Sequence, residues 1–247
     1  MNNYIILQAR TGSTRFNNKV LSKIGNKKVI EIIIQEIKKV DNIDKIFIAT
    51  TNNIEDDILE NICNENNVNC YRGEVKDVFS RYKNIAKKYF FPEDNIVRLT
   101  GDNPLIKREI IEQVMDCHIK NDNFYTSNII ERSWPRGMDV EILKSKFFIN
   151  DGSLSFNKDD LEHVTLFIRK NLQLYKTENV HSRKKDFMPN LRLCIDYKED
   201  LYFINHLVEK LGLDASIDKI IKYIKKNPNV LNTVNTLKQT MIDGKEW

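Results

Sequence analysis

YIILQARTGSTRFNNK, residues 4–19, passes from an apolar run into a loop that holds Gly12 and the cations Arg10, Arg15 and Lys19. Tyr4 to Ala9 reads as a strand, and a strand that empties into a glycine loop presents backbone N–H groups to an anion. The three cations between positions 10 and 19 suit a polyphosphate. The loop is not a Walker A sequence, which needs Gly-Lys-Ser/Thr, and it has no GxGxxG fingerprint. A polar surface loop with incidental basic residues is the competing reading.

Outward from this stretch, Lys45 to Thr50, Asn69 to Tyr71, Asn95 to Leu99 and Asn123 to Ser127 also read as strands. Between them, Val29 to Val40, Glu55 to Asn66, Val75 to Tyr89 and Lys107 to Lys120 return apolar residues every three or four positions and read as helices. That β-α-β rhythm predicts an α/β fold, a mostly parallel sheet covered by helices on both faces, with ligands outside the carboxyl ends of the strands. The second half is less regular. Asp139 to Leu143, Tyr175 to Val180 and Leu191 to Ile195 read as strands, and Asp159 to Asn171, Glu199 to Leu211 and Ile217 to Lys226 as helices.

The 247 residues, 41% of them hydrophobic, suffice for a sizeable core. The excess of 39 Lys and Arg over 35 Asp and Glu is small and spread along the chain, which speaks against a nucleic-acid partner. Cys63, Cys70, Cys117 and Cys194 lack both CxxC spacing and the density of a disulfide scaffold, so reduced thiols in a cytoplasmic protein are expected. No signal segment or long apolar run points to export or a membrane. Abundant Asn, Lys and Ile indicate AT-rich coding, which removes functional weight from Lys184-Lys185 and Lys225-Lys226.

Arg98-Leu99-Thr100-Gly101-Asp102-Asn103-Pro104-Leu105-Ile106 follows the fourth strand. A carboxylate at a strand's carboxyl end, between a permissive Gly and a rigid Pro, can hold a hard cation over a nucleotide. Asp102 is therefore the first metal candidate, with helix capping as its alternative. Asp196, at the end of Leu191 to Ile195, is the second; its alternative is a capping box with Glu199. Arg132-Ser133-Trp134-Pro135-Arg136-Gly137-Met138-Asp139-Val140-Glu141 joins an aromatic face, guanidinium groups and carboxylates, which suits a polar acceptor with an anionic group. Trp134 packed into the core is the alternative there, and a structural role is the alternative for His163 in Glu162-His163-Val164-Thr165.

Taken in order, these motifs resemble the cytidylyltransferase family of CMP-Kdo and CMP-sialic acid synthetases, and within it the branch of the spore coat polysaccharide biosynthesis protein SpsF. The resemblance runs from Ile5 to about Leu201. It rests on Ala9 to Arg15 with Lys19-Val20-Leu21, Ala49-Thr50-Thr51, Tyr71-Arg72-Gly73, Thr100-Gly101-Asp102 with Pro104-Leu105-Ile106, Pro135-Arg136-Gly137 with Asp139-Val140-Glu141, Glu162 to Thr165, and Asp196 with Glu199-Asp200.

The resemblance implies a Rossmann-like domain over residues 1–247: a nucleotide-binding half at 1–130, an acceptor and dimerisation region at 131–190, and the metal-binding strand end with C-terminal helices at 191–247. It implies transfer of CMP from CTP to a small sugar-acid-like acceptor, in surface glycan synthesis, by a homodimer. Arg10, Lys19 and Asp102 would be catalytic. Ala9, Arg10, Thr11, Gly12, Ser13, Arg15, Lys19, Thr100 and Gly101 would bind the nucleotide, with Thr50, Thr51, Asn52 and Arg72 near its base and ribose. Arg132, Trp134, Arg136, Asp139, Glu141 and His163 would meet the acceptor, and Asp102 and Asp196 would hold Mg2+. The chain departs from the family pattern in three places. Asn17-Asn18 replace Pro-Gly, which is expected to loosen a rigid turn, Asn103 replaces Cys or Glu, and Tyr197 replaces Thr. A nucleotide-sugar glycosyltransferase and a silent nucleotide-binding module are the competing functions; the cationic loop speaks against the first.

Overall fold

The computed structural model describes residues 1–150, 152, 154–183, 187–234, 237, 241–242 and 245–246. The Lys184-Lys185 run lies outside these. The main sheet contains β1 (Asn3–Gln8), β2 (Lys45–Thr51), β3 (Asn69–Gly73), β4 (Asn95–Thr100), β5 (Tyr125–Ser127), β6 (Glu141–Lys144) and β7 (Thr177–Asn179). Their order across the sheet is β3-β2-β1-β4-β6-β5-β7. Strands β1 to β4 pair in parallel, as the β-α-β rhythm predicts. β6 runs antiparallel between β4 and β5, and β7 lies parallel to β5.

The helices are α1 (Val29–Ile37), α2 (Asp57–Glu65), α3 (Val78–Tyr89), α4 (Arg108–Lys120), α5 (Lys146–Ile149), α6 (Lys158–His163), α7 (Leu166–Lys170), α8 (Lys198–Leu211) and α9 (Ile217–Lys226). Alternate residues of β1 feed two cores. Ile5 and Leu7 join α1, α2, α4, α8 and α9 on one face, while Tyr4 and Ile6 join α3, α5 and α7 on the other. A parallel sheet covered on both faces needs such two-sided apolar strands. Helix α1 alone buries Val29, Ile30, Ile32, Ile33, Ile34 and Ile37, each contributing roughly 1.5–3 kcal/mol by removal from water.

Two sequence expectations are corrected. Leu191 to Ile195 is not a strand of the sheet. Its amides bond loop carbonyls instead, Leu193 N to Arg136 O at 2.8 Å and Ile195 N to Asp102 O at 2.8 Å, with a single bridge between Arg136 and Arg192. The expected helix Asp159 to Asn171 is broken at Val164, whose φ of 54° lies in the left-handed region, so that α6 and α7 are separate. Elsewhere the differences are at element ends. Asp77 caps α3 by accepting from Ser80 N at 2.8 Å, so that helix starts three residues later than its pattern.

Candidate functional site

A polar cleft of about 590 Å3 opens at the carboxyl ends of β1 and β4. Its walls come from the loop after β1, the Thr100–Asn103 turn, residues 129–139, helix α6 and Cys194 with Asp196. Among the expected nucleotide ligands, Ala9, Arg10, Ser13, Arg15, Lys19, Thr100 and Gly101 line it. Gly101 allows the turn to pass close to β1: a Cβ there would lie 2.9 Å from the Ala9 side chain.

Lys19, Asp102 and Asp196 converge. Lys19 Nζ donates to Asp102 Oδ2 at 2.8 Å, Asp196 Oδ1 at 3.0 Å and the Ile195 carbonyl oxygen at 2.8 Å. The two carboxylate oxygens therefore lie no more than 5.8 Å apart, the limit set by Lys19 distances of 2.8 and 3.0 Å. Thr100 donates its hydroxyl to Asp102 Oδ1 at 2.6 Å, and Asn103 Nδ2 donates to Thr100 Oγ1 at 3.0 Å, so Asn103 orients the carboxylate through a relay. Burial disfavours the Lys19 charge, but the two carboxylates outweigh it and raise the ammonium pKa. Asp102 is held below the usual carboxylate range, since Lys19 and the Thr100 hydroxyl overcome the opposing effect of burial.

Capping does not occupy either aspartate. Helix α4 begins at Arg108, away from Asp102. For α8 the N-cap is Tyr197, and the carboxylate that reaches back to it is Asp200, not Glu199: its Oδ2 accepts from the amides of Asp196 and Tyr197, both at 2.9 Å, while its two oxygens take Arg192 at 3.0 and 2.8 Å. Asp196 is left to face the loop, where Arg15 Nη2 sits 2.9 Å from Oδ1. The Arg15 guanidinium lies 5.6 Å from the Tyr197 ring centre, so the departure at Tyr197 adds a cation–π contact to the loop. Asn18 takes φ 58°, a left-handed conformation open to Gly and tolerated by Asn. The turn expected to loosen is thus held, with Asn18 N bonded to Thr11 O at 2.9 Å.

Several expected ligands support the loop instead of lining the cleft. Thr11 is buried, and both its amide and its hydroxyl donate to Asp56 Oδ1 at 2.7 Å. Thr51 donates its hydroxyl to Asp56 Oδ2. Thr50 is buried, Asn52 is exposed with its amide on Gly73 O, and Gly12 is exposed outside the cleft lining. Arg72 pairs with Asp57 and Glu60 and donates to the carbonyls of Thr51 and Asn53. The structure thus gives the Thr11 and Thr51 hydroxyls to Asp56 and the Arg72 guanidinium to α2 and two backbone carbonyls, and buries Thr50.

Of the residues expected to meet an acceptor, Arg132, Arg136, Asp139, Glu141 and His163 line the cleft. Arg132 makes a two-bond pair with Asp139 at 2.6 and 3.1 Å. Burial lowers the His163 pKa, which keeps the ring neutral near pH 7. Glu141 is held at the floor by Arg98, its register partner, and by the hydroxyls of Tyr125 and Thr165 at 2.6 Å each. Trp134, by contrast, is 8% exposed, packs edge-on against Phe187 with ring centres 5.1 Å apart, and sits in the core cluster, the alternative weighed for it from sequence.

Sequence reasoning passes over Asp56 and Arg81, and it quotes Arg98 and Asp200 inside motifs without giving either a role. Opposite charges inside two apolar strands, Val97-Arg98-Leu99 and Val140-Glu141-Ile142, were a readable sign of a buried pair. Arg81 is buried at the cleft wall, where its Nη1 donates to Ala49 O at 3.2 Å. Gly73 makes room for it, since a Cβ there would lie 2.8 Å from Arg81 Cγ. No local pattern marks that passage.

Comparison with known proteins adds independent findings. A family model described as cytidylyltransferase matches residues 4–226. The spore coat polysaccharide biosynthesis protein SpsF of Bacillus subtilis is 30% identical over 231 residues, covering 91% of this chain and 94% of that protein. A 3-deoxy-manno-octulosonate cytidylyltransferase of Thermodesulfovibrio yellowstonii is 28% identical over 204 residues, 75% of this chain and 76% of its own. Among solved structures, a cytidylyltransferase from Leptospira borgpetersenii superposes with a TM-score of 0.87 at 29% identity, covering 97% of this chain and all of that one.

Proposed function

The chain belongs to the cytidylyltransferase family, and from that premise we propose that it transfers CMP from CTP to a small sugar-acid-like acceptor, with Mg2+ and release of pyrophosphate, in surface glycan synthesis. The observation that carries the reading is the convergence of Lys19, Asp102 and Asp196 beside Arg10 and Arg15 in one cleft.

An acceptor hydroxyl oxygen attacks the α-phosphorus and gives up its proton to solvent, the bond from that phosphorus to the bridging oxygen breaks, and pyrophosphate leaves. Such a transfer needs positioning and charge neutralisation more than covalent help. Arg10, Arg15 and Lys19 neutralise the triphosphate and then the departing pyrophosphate, whose charge grows as the bond breaks. Arg132, fixed by Asp139, and Arg136 hold the anionic group of the acceptor. Neutral His163 accepts a hydrogen bond from an acceptor hydroxyl.

The donor set fits a hard divalent cation: two carboxylate oxygens and the Ile195 carbonyl oxygen already converge on one cationic point, the Lys19 ammonium. Held by Asp102 and Asp196, Mg2+ would polarise the α-phosphate. The homodimer and the cytoplasmic setting belong to the same proposal. Among the described residues no helix is long and apolar enough to cross a membrane.

The test is pyrophosphate release from each NTP with Mg2+ and a panel of sugar acids, amino-sugar acids and polyol phosphates. Release with CTP and a sugar acid is expected. Release with none of the NTPs, or only with UTP, overturns the proposal.

A further inference from the structure

Two carboxylates that share one point of a half-buried cleft repel each other unless a cation lies between them. Here the chain supplies its own. Lys19 Nζ bonds both Asp102 Oδ2 and Asp196 Oδ1, and Arg15 adds a second cation to Asp196 Oδ1 at 2.9 Å. The remaining oxygens are also engaged: Thr100 donates to Asp102 Oδ1 at 2.6 Å, and Arg192 Nη2 stands 3.7 Å from Asp196 Oδ2. The oxygens that Lys19 holds, two from carboxylates and one from a carbonyl, are the kind that a hard divalent cation takes. Ammonium and divalent cation cannot occupy that point together.

We infer that Lys19 is the resident counter-cation of this site and excludes a divalent cation until a triphosphate draws Lys19 away. The inference rests on the reading of Asp102 and Asp196 as the magnesium carboxylates. Lys19 and Arg15 both sit on the loop that faces the phosphates, and the long Lys stem can carry its charge to a phosphate oxygen without moving the backbone. Binding of the triphosphate then takes two cations off the carboxylates and opens them to the metal in one exchange of charge. Metal and nucleotide consequently bind with positive coupling, each raising the affinity of the other by the same factor, on the order of tenfold or more.

The test uses the full chain and Mn2+ as the probe, read by the enhancement of water-proton relaxation that follows when Mn2+ joins a large molecule. Wild-type protein alone should bind Mn2+ weakly and gain on the order of tenfold with CTP. Lys19→Met should bind Mn2+ without nucleotide on the order of tenfold more tightly than wild type, and adding Asp102→Asn should abolish the gain. Lys19→Arg, which retains the charge, should exclude Mn2+ like wild type. Circular dichroism and thermal melting establish that each variant is folded; if Lys19→Met is not, Lys19→Gln takes its place. Equal Mn2+ binding by wild type and a folded charge-free variant overturns the inference. The comparison on free protein involves no nucleotide, so pyrophosphate release from UTP instead of CTP would sink the functional reading and leave this one standing.

Discussion

Asp56 offers the most informative single substitution, because one buried carboxylate ties the loop after β1 to the end of β2. Its Oδ1 takes two donors from Thr11 at 2.7 Å and its Oδ2 takes the Thr51 hydroxyl. Burial raises its pKa, but the threonine donors outweigh this and hold the carboxyl below the usual range. Asp56→Ala strands one amide that cannot turn away and two hydroxyls that can rotate, for a cost on the order of 2–4 kcal/mol. Asp56→Asn keeps the shape and one acceptor oxygen, and exchanging charge-assisted for neutral bonds should cost about 1–2 kcal/mol. The Asn variant should therefore fold, with a lower urea midpoint, and bind CTP about tenfold more weakly by titration calorimetry because its loop is less well held. A folded-state pKa below the unfolded one gives stability that is present above the unfolded value and lost as pH falls through the folded one. Wild type should lose this contribution in acid, and Asp56→Asn should have none to lose. A lower midpoint with unchanged CTP affinity would refute the link from Asp56, through the loop after β1, to nucleotide binding.

Other outcomes follow from the same geometry. Asp102→Asn and Asp196→Asn should each lower the rate of pyrophosphate release on the order of a hundredfold while melting close to wild type; a large loss of stability with normal turnover would contradict the site. Gly137→Ala should destabilise by roughly 2–4 kcal/mol in urea, since Gly137 has φ +96° and an added Cβ would meet Leu193 O at 2.5 Å. It should also impair turnover, because the same segment carries Asp196. His118 is buried between Thr126 Oγ1 at 3.0 Å and Asn95 Oδ1 at 3.1 Å, and burial pushes its pKa down to about 4. Folding therefore requires the neutral ring, so stability should fall as pH drops from about 6.5 towards 4, by roughly 3 kcal/mol over the window. His118→Gln should flatten that part of the profile, and parallel wild-type and variant curves would show that another group titrates there.

The first half of the chain was readable because its signals are local. A parallel strand buried on both faces is apolar along its whole length, an amphipathic helix repeats every three or four residues, and a loop that follows a strand stays at that strand's end. Arg10, Arg15, Lys19 and Asp102 reach the cleft for that reason, and the family motifs in their order pointed to CTP. Leu191 to Ile195 shows the limit of pattern. It alternates like a strand, yet its amides donate to the carbonyls of Arg136 and Asp102 because those loop groups, not a free sheet edge, lie beside it.

What a polar side chain does depends on which partner the fold brings to it, and those partners are far away in sequence. Sequence offers Thr11 to the nucleotide, Thr51 and Arg72 to its base and ribose, and Trp134 to the acceptor; the fold sets Thr11 and Thr51 on Asp56, Arg72 beside Asp57 and Glu60, and Trp134 against Phe187. Sequence by itself determined the α/β order, the cationic loop and the two candidate carboxylates. Only tertiary structure decided that Asp200 reaches back to the N-cap of α8 and so releases Asp196, and that Lys19 joins Asp196 to Asp102 across 94 positions of chain. Periodicity records which face a residue presents, whereas a charge's role is set by the distances to its neighbours, and those exist only once the chain has closed on itself.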